Sequence, residues 1–140
     1  MENGDRVITL ADYEKLPYLG TEAVIVRTIP NGRDKLTRNY SGTNPPFFEP
    51  AITQLMRSRG VKHVLVDLPS VDKEVDGGAL GAHRNFWGFP GELSKSSTIT
   101  ELVYVDDTIA DGLYLLNLQI ASLELDVSMS KPVLFKLERV

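Results

Sequence analysis

Residues 50–68, PAITQLMRSRGVKHVLVDL, read as a helix that runs into a strand. Pro50 suits a first helical turn, where its missing N–H is not needed. Phe48, Ile52, Leu55 and Met56 recur at i, i+4, i+7 and i+8, which gathers them on one face. Arg57 and Arg59 fall in the last turn, where positive charge suits the helix dipole, and Gly60 supplies the stop. Residues 61–68 (VKHVLVDL) are the strand. Upstream, residues 22–29 (EAVIVRTI) are nearly continuously apolar, the pattern of a strand covered on both faces, and Pro30-Asn31-Gly32 breaks it. Strand, helix, strand in that order predicts a crossover unit and a parallel pair.

The chain around this unit has 140 residues, no cysteine, two histidines and a formal net charge of −4. Without cysteine there is no disulfide framework, thiolate zinc finger or cysteine nucleophile, and two histidines cannot make a three-histidine zinc site. An acidic balance with no Lys/Arg cluster argues against nucleic acid as a partner, because backbone binding needs basic side chains to neutralise phosphates. At 42% hydrophobic and 24% charged residues, the composition is that of a globular domain, and one domain over 1–140 is expected. No apolar run approaches the ~20 residues that span a bilayer. MENGDRVITL lacks the basic and apolar regions of a secretory signal, so the expected location is cytoplasmic.

Further along, residues 6–10 (RVITL) are β-rich, and Thr9 or Asp12 can cap a short helix through Tyr13, Leu16 and Tyr18. Residues 31–47 (NGRDKLTRNYSGTNPPF) lack periodicity and read as a long surface loop, functional or mobile. After an acidic segment, 67–78 (DLPSVDKEVDGG), Ala79, His83, Phe86 and Trp87 share a helical face. Residues 98–105, 112–120 and 132–137 read as strands. The sum is a mixed α/β domain with two or three helices.

Several groups in this frame could carry chemistry. D-K-E-V-D-G from Asp72 matches the first half of an EF-hand loop, but position twelve is His83, which cannot give calcium its bidentate oxygens. Most of these carboxylates are expected to be solvated. Ser70 is not in a nucleophile elbow, and Thr43 lacks the lysine of a phosphate loop. His83, beside Phe86 and Trp87, is expected to be partly buried, with a local hydrogen-bond partner or a ligand as alternatives. His63 alternates with Val64 and Val66 and faces solvent or a loop. Glu101, in the apolar stretch TITELVYV, must be paired, metal-bound or on a wet strand face.

Taken together, residues 60–88 (GVKHVLVDLPSVDKEVDGGALGAHRNFWG) resemble the signature region of the cyclase-like, kynurenine-formamidase-type metal hydrolases, in which a strand ends in D-x-P-S-x-D and a following helix carries A-H. The resemblance extends upstream through AVIVRTIPNG and downstream through ITELVYV and GLYLLNLQI, and it covers nearly the whole chain as the C-terminal part of such proteins. The family's H-x-G-T-H-x-D element, which supplies most metal ligands and, with a downstream histidine, the general acid/base, belongs upstream of this region. No H-x-G-x-H occurs in this sequence.

The resemblance implies a swivelling β/β/α (cyclase-like) fold, here an incomplete version with a mixed sheet. It maps His83 and Glu101 onto the two metal ligands of the C-terminal half, with an insertion around 91–96 between them. It implies a hydrolase that uses zinc or manganese to activate water against a small-molecule amide or ester, N-formylkynurenine in the formamidase members, and that assembles as a dimer or tetramer. Residues 33–47 would help shape the substrate pocket. This chain alone is expected to show little or no activity. The alternative is a non-catalytic binding or oligomerising module on the same scaffold, with His83 and Glu101 structural.

Overall fold

A computed structural model describes residues 4–137 and divides them into two compact units at Asp107/Thr108. In the first unit the crossover predicted from the sequence is present. Strand β2 (Ala23–Val26), helix α2 (Pro50–Ser58) and strand β4 (His63–Val66) follow in order, and β2 pairs β4 in parallel from Ala23↔His63 to Val26↔Val66. Strand β5 (Thr98–Thr100) adds to the other side of β4, also parallel. A two-residue parallel pair joins β1 (Val7–Ile8) to β3 (Phe47–Phe48). The remaining helices of this unit are α1 (Leu10–Tyr13) and α3 (Gly81–Trp87).

Position in the sheet explains burial. β4 is central, and Val64, Leu65 and Val66 are fully buried, whereas β2 lies at the edge and stays half-buried, less covered than its apolar run predicts. Ile52 and Met56 of α2 and Ala82 and Phe86 of α3 close over Val64, Val66, Leu68 and Val71 to form the core. The two helices approach closely at their first turns. A Cβ on Gly81 would sit 3.0 Å from Pro50 Cγ, and the Thr53 hydroxyl donates to the Ala82 carbonyl at 2.7 Å. Arg59 and Gly60 end α2 as expected, Gly60 in the left-handed region at φ +81°.

Several element boundaries differ from the sequence reading. Phe48 belongs to β3 rather than to the face of α2, and is buried there. α1, capped by Thr9, ends at Tyr13, short of Leu16 and Tyr18. Ala79 precedes α3. The strand expected over 98–105 pairs only through Thr100, because Leu102 turns left-handed at φ +57°.

The loop over 31–47 is not a free surface segment. It forms a 3₁₀ turn at Arg33–Leu36, and Lys35 reaches inward to Asp67 at 2.7 Å, with side-chain exposures of only 6% and 0%. Lys35 Nζ also donates to the carbonyl and hydroxyl oxygens of Thr28, at 2.7 and 3.0 Å.

The second unit contains an antiparallel hairpin of β6 (Tyr114–Ile120) and β7 (Ser130–Lys136), in register from Tyr114↔Lys136 to Ile120↔Ser130. Alternation along β6 gives it one half-buried face and one exposed face; Leu115 and its cross-strand partner Phe135 are 60% and 50% exposed. Among the described residues no helix is long and apolar enough to cross a membrane.

Candidate functional site

The carboxyl ends of parallel strands leave a crevice where side chains from successive connections converge. Here β4 ends at Val66 and β5 at Thr100, and the segments that follow carry Asp72 and Glu101. Val103 N–H donates to Val66 O at 3.1 Å and Leu102 N–H to Leu68 O at 2.9 Å, so the chain after β5 stays beside the chain after β4. Glu101 therefore turns toward residues 70–72. Its Oε1 accepts the Val71 N–H at 2.9 Å.

Helix α3 delivers His83 to the same place, and Asp72 determines how. The residue before the helix, Leu80, has no capping side chain. Asp72 supplies the missing acceptor from ten residues upstream, taking the Ala82 N–H at 2.6 Å and the His83 N–H at 3.1 Å. The same carboxylate holds His83 Nδ1 at 2.6 Å, and His83 Nε2 then lies 3.5 Å from Glu101 Oε1. His83 is 17% and Glu101 28% exposed at the side chain, and the Trp87 ring stands 5.3 Å from the imidazole.

This arrangement perturbs all three groups. Burial opposes charge on His83, but the Asp72 hydrogen bond and the nearby Glu101 charge outweigh it and hold the imidazole pKa above its ordinary value. For Asp72, burial is outweighed by the bonds from the His83 side chain and the two helix N–H groups, and its pKa is lowered. Burial wins at Glu101 and raises it, partly offset by the Val71 N–H.

The structure brings together two of the residues singled out from the sequence, His83 and Glu101, and adds Asp72, the first residue of the incomplete calcium-loop pattern. The expectation that most carboxylates of 67–78 are solvated is corrected for Asp67 and Asp72, both buried. Asp72, Glu74 and Asp76 each bind different backbone N–H groups instead of converging. The only local hint of Asp72's role was its place at the end of D-L-P-S-V-D. His63 begins β4, at the opposite end of the sheet, and its Nδ1 contacts Thr98 Oγ1 at 2.9 Å. Thr43 is occupied locally, donating to Tyr40 O at 2.7 Å.

No protein family profile matches the chain, and no curated protein does. A solved structure described as a potential metal-dependent hydrolase with cyclase activity superimposes on 96% of this chain with a TM-score of 0.72, at 15% sequence identity. The chain has a cyclase-like hydrolase fold. It spans 61% of that neighbour's length.

Within the cyclase-like fold, the chemistry of the donor set can be tested against a metal. A zinc ion with ~2.1 Å bonds at tetrahedral angles keeps adjacent donor atoms roughly 3.4 Å apart. His83 Nε2 and Glu101 Oε1, 3.5 Å apart, meet that spacing, and Asp72 on Nδ1 is the partner that fixes a metal-binding histidine in orientation. Among the described residues no group of three or more His, Cys, Asp or Glu side chains is arranged to hold a metal ion. The spacing of two donors fits a metal, and the described residues supply no third.

Proposed function

We propose that this chain is the C-terminal portion of a cyclase-like metal-dependent hydrolase, and that His83 and Glu101 are the ligands it contributes to a divalent metal, zinc or manganese. The observation that carries the reading is the 3.5 Å approach of His83 Nε2 to Glu101 Oε1 with Nδ1 already committed to Asp72. A bound metal ion would supply Lewis acidity and lower the pKa of a water for attack on an amide or ester carbonyl. The residues of this chain prepare that place. Asp72 fixes the ring plane and keeps the proton on Nδ1, leaving Nε2 as a lone-pair donor. Glu101 contributes negative charge held in position by the Val71 N–H. The Trp87 ring packs beside the imidazole, centroids 5.3 Å apart and planes tilted by 55°.

Within that class we assign an amide substrate of the N-formylkynurenine type, hydrolysed to kynurenine and formate, on the D-L-P-S-V-D and A-H motifs. The remaining ligands and the acid/base group come from a region upstream of the motifs represented here. In the intact protein we assign a cytoplasmic homo-oligomer. A non-catalytic assembly module is the second reading, favoured by the exposed Leu115–Phe135 pair on the β6–β7 hairpin.

Calorimetric titration of the chain with zinc or manganese tests the half-site. The expected result is weak binding, lost in His83→Ala, with no hydrolysis of N-formylkynurenine above buffer. EDTA-sensitive hydrolysis by the chain alone would overturn the half-site assignment, and metal binding unchanged by His83→Ala would remove the ligand assignment.

A further inference from the structure

The loop over 31–47 is tied to the acidic segment at a second point, beyond the Lys35–Asp67 pair. Gly42 N–H donates to Glu74 Oε1 at 2.6 Å and Asn44 N–H to Glu74 Oε2 at 3.0 Å, so two backbone amides chelate the two oxygens of one carboxylate. Gly42 and Asn44 both take left-handed backbone angles, φ +72° and +47°, a region that glycine enters freely and that asparagine tolerates better than most residues with a Cβ. Asn44 is held from three sides. Its N–H meets Glu74, its carbonyl accepts from Arg6 at 3.0 Å, and its side-chain amide donates to Asp5 at 3.0 Å. Asp5 in turn pairs with Lys73, the residue beside Glu74, at 2.7 Å. Neighbouring amides aimed at one point by left-handed turns form a concave anion receptor.

We propose that the Gly42 and Asn44 amides form a carboxylate receptor whose resident ligand is Glu74, and that its occupancy sets the conformation of the 39–44 turn. The contact is exposed, so screening keeps it modest, and tethering rather than intrinsic affinity keeps the site filled. A tethered side chain acts at an effective concentration in the millimolar range or above, so a small free carboxylate at about half-molar concentration replaces it once the side chain is removed. The receptor is independent of any metal at His83 and Glu101.

Amide hydrogen exchange of the 140-residue chain tests this. In Glu74→Ala, exchange at Gly42 and Asn44 is expected to accelerate about threefold or more. Sodium acetate at about 0.5 M is expected to restore most of the protection, and sodium chloride at the same concentration is not. Glu74→Gln, which keeps one acceptor oxygen, is expected to fall between wild type and Glu74→Ala and is the comparison to use if the alanine variant does not fold. Unchanged exchange at both amides in Glu74→Gln or Glu74→Ala would overturn the proposal. So would acceleration in the alanine variant that acetate leaves as chloride does.

Discussion

The carboxylate of Asp72 lies 2.6 Å from His83 Nδ1 while also accepting the His83 backbone N–H, so one buried acid fixes both the start of α3 and the ring that α3 carries. Helix geometry alone does not aim a histidine, because rotation about χ1 and χ2 leaves the ring free. The double attachment removes that freedom.

Replacing Asp72 should therefore damage stability and site together. Asp72→Ala leaves two helix N–H groups and a buried imidazole without their acceptor and is expected to cost about 3 kcal/mol or more. Asp72→Asn retains one acceptor and should cost less. Urea denaturation measures both, and an alanine variant within about 0.5 kcal/mol of wild type would contradict the role. If His83 binds metal, Asp72→Asn is also expected to lower that affinity about 10–100-fold.

The same pair predicts a pH window. The pKa of His83 is raised, so its contribution to stability is fully present below its ordinary value of 6.5 and is lost as pH rises through the higher folded value. That of Asp72 is lowered, so its contribution is present above 3.8 and lost as pH falls through the lower folded value. Both contributions are whole between pH 3.8 and 6.5. Denaturation of wild type and His83→Gln in EDTA, repeated from about pH 5 to 9, should show the stability difference between them shrinking as pH rises. A difference that stays constant or grows would remove the argument.

Lys35 and Asp67 form a buried ion pair, so removing one charge strands the other. Lys35→Met is expected to destabilise the first unit by about 3 kcal/mol, and Lys35→Met combined with Asp67→Asn by less than the lysine change alone. The amide oxygen introduced by Asp67→Asn can still accept from Thr28, whose N–H and hydroxyl donate to the native Asp67 carboxylate at 2.9 Å. A double variant less stable than Lys35→Met would show that the pair is not the main tie.

Phe86 is almost fully buried between α2, β4 and the 67–72 segment. Phe86→Ala should cost about 3–5 kcal/mol, whereas Leu115→Ala on the exposed hairpin face should change stability of the isolated chain by about 0.5 kcal/mol or less. The ratio of the two, read by thermal or urea unfolding, checks which apolar residues belong to the core.

The local sequence determined the elements whose signals are short-range. Pro50 and Gly60 bracket α2 because one residue fixes φ and the other permits a left-handed turn, and the β-branched runs at 23–26 and 63–66 formed the parallel pair that the order of elements required. Motif resemblance also singled out His83 and Glu101 and the cyclase-like fold. Tertiary structure alone decided what surrounds them. Glu101 turns toward His83 because β5 ends at Thr100 and the chain bends at Leu102, and no periodicity marks that departure. Asp72 and Lys35 look like solvated charges in a linear reading, and both are buried because partners ten and thirty-two residues away satisfy them. Desolvation of a charge is offset only by groups that folding brings near, so sequence separation hides the residues that orient this site.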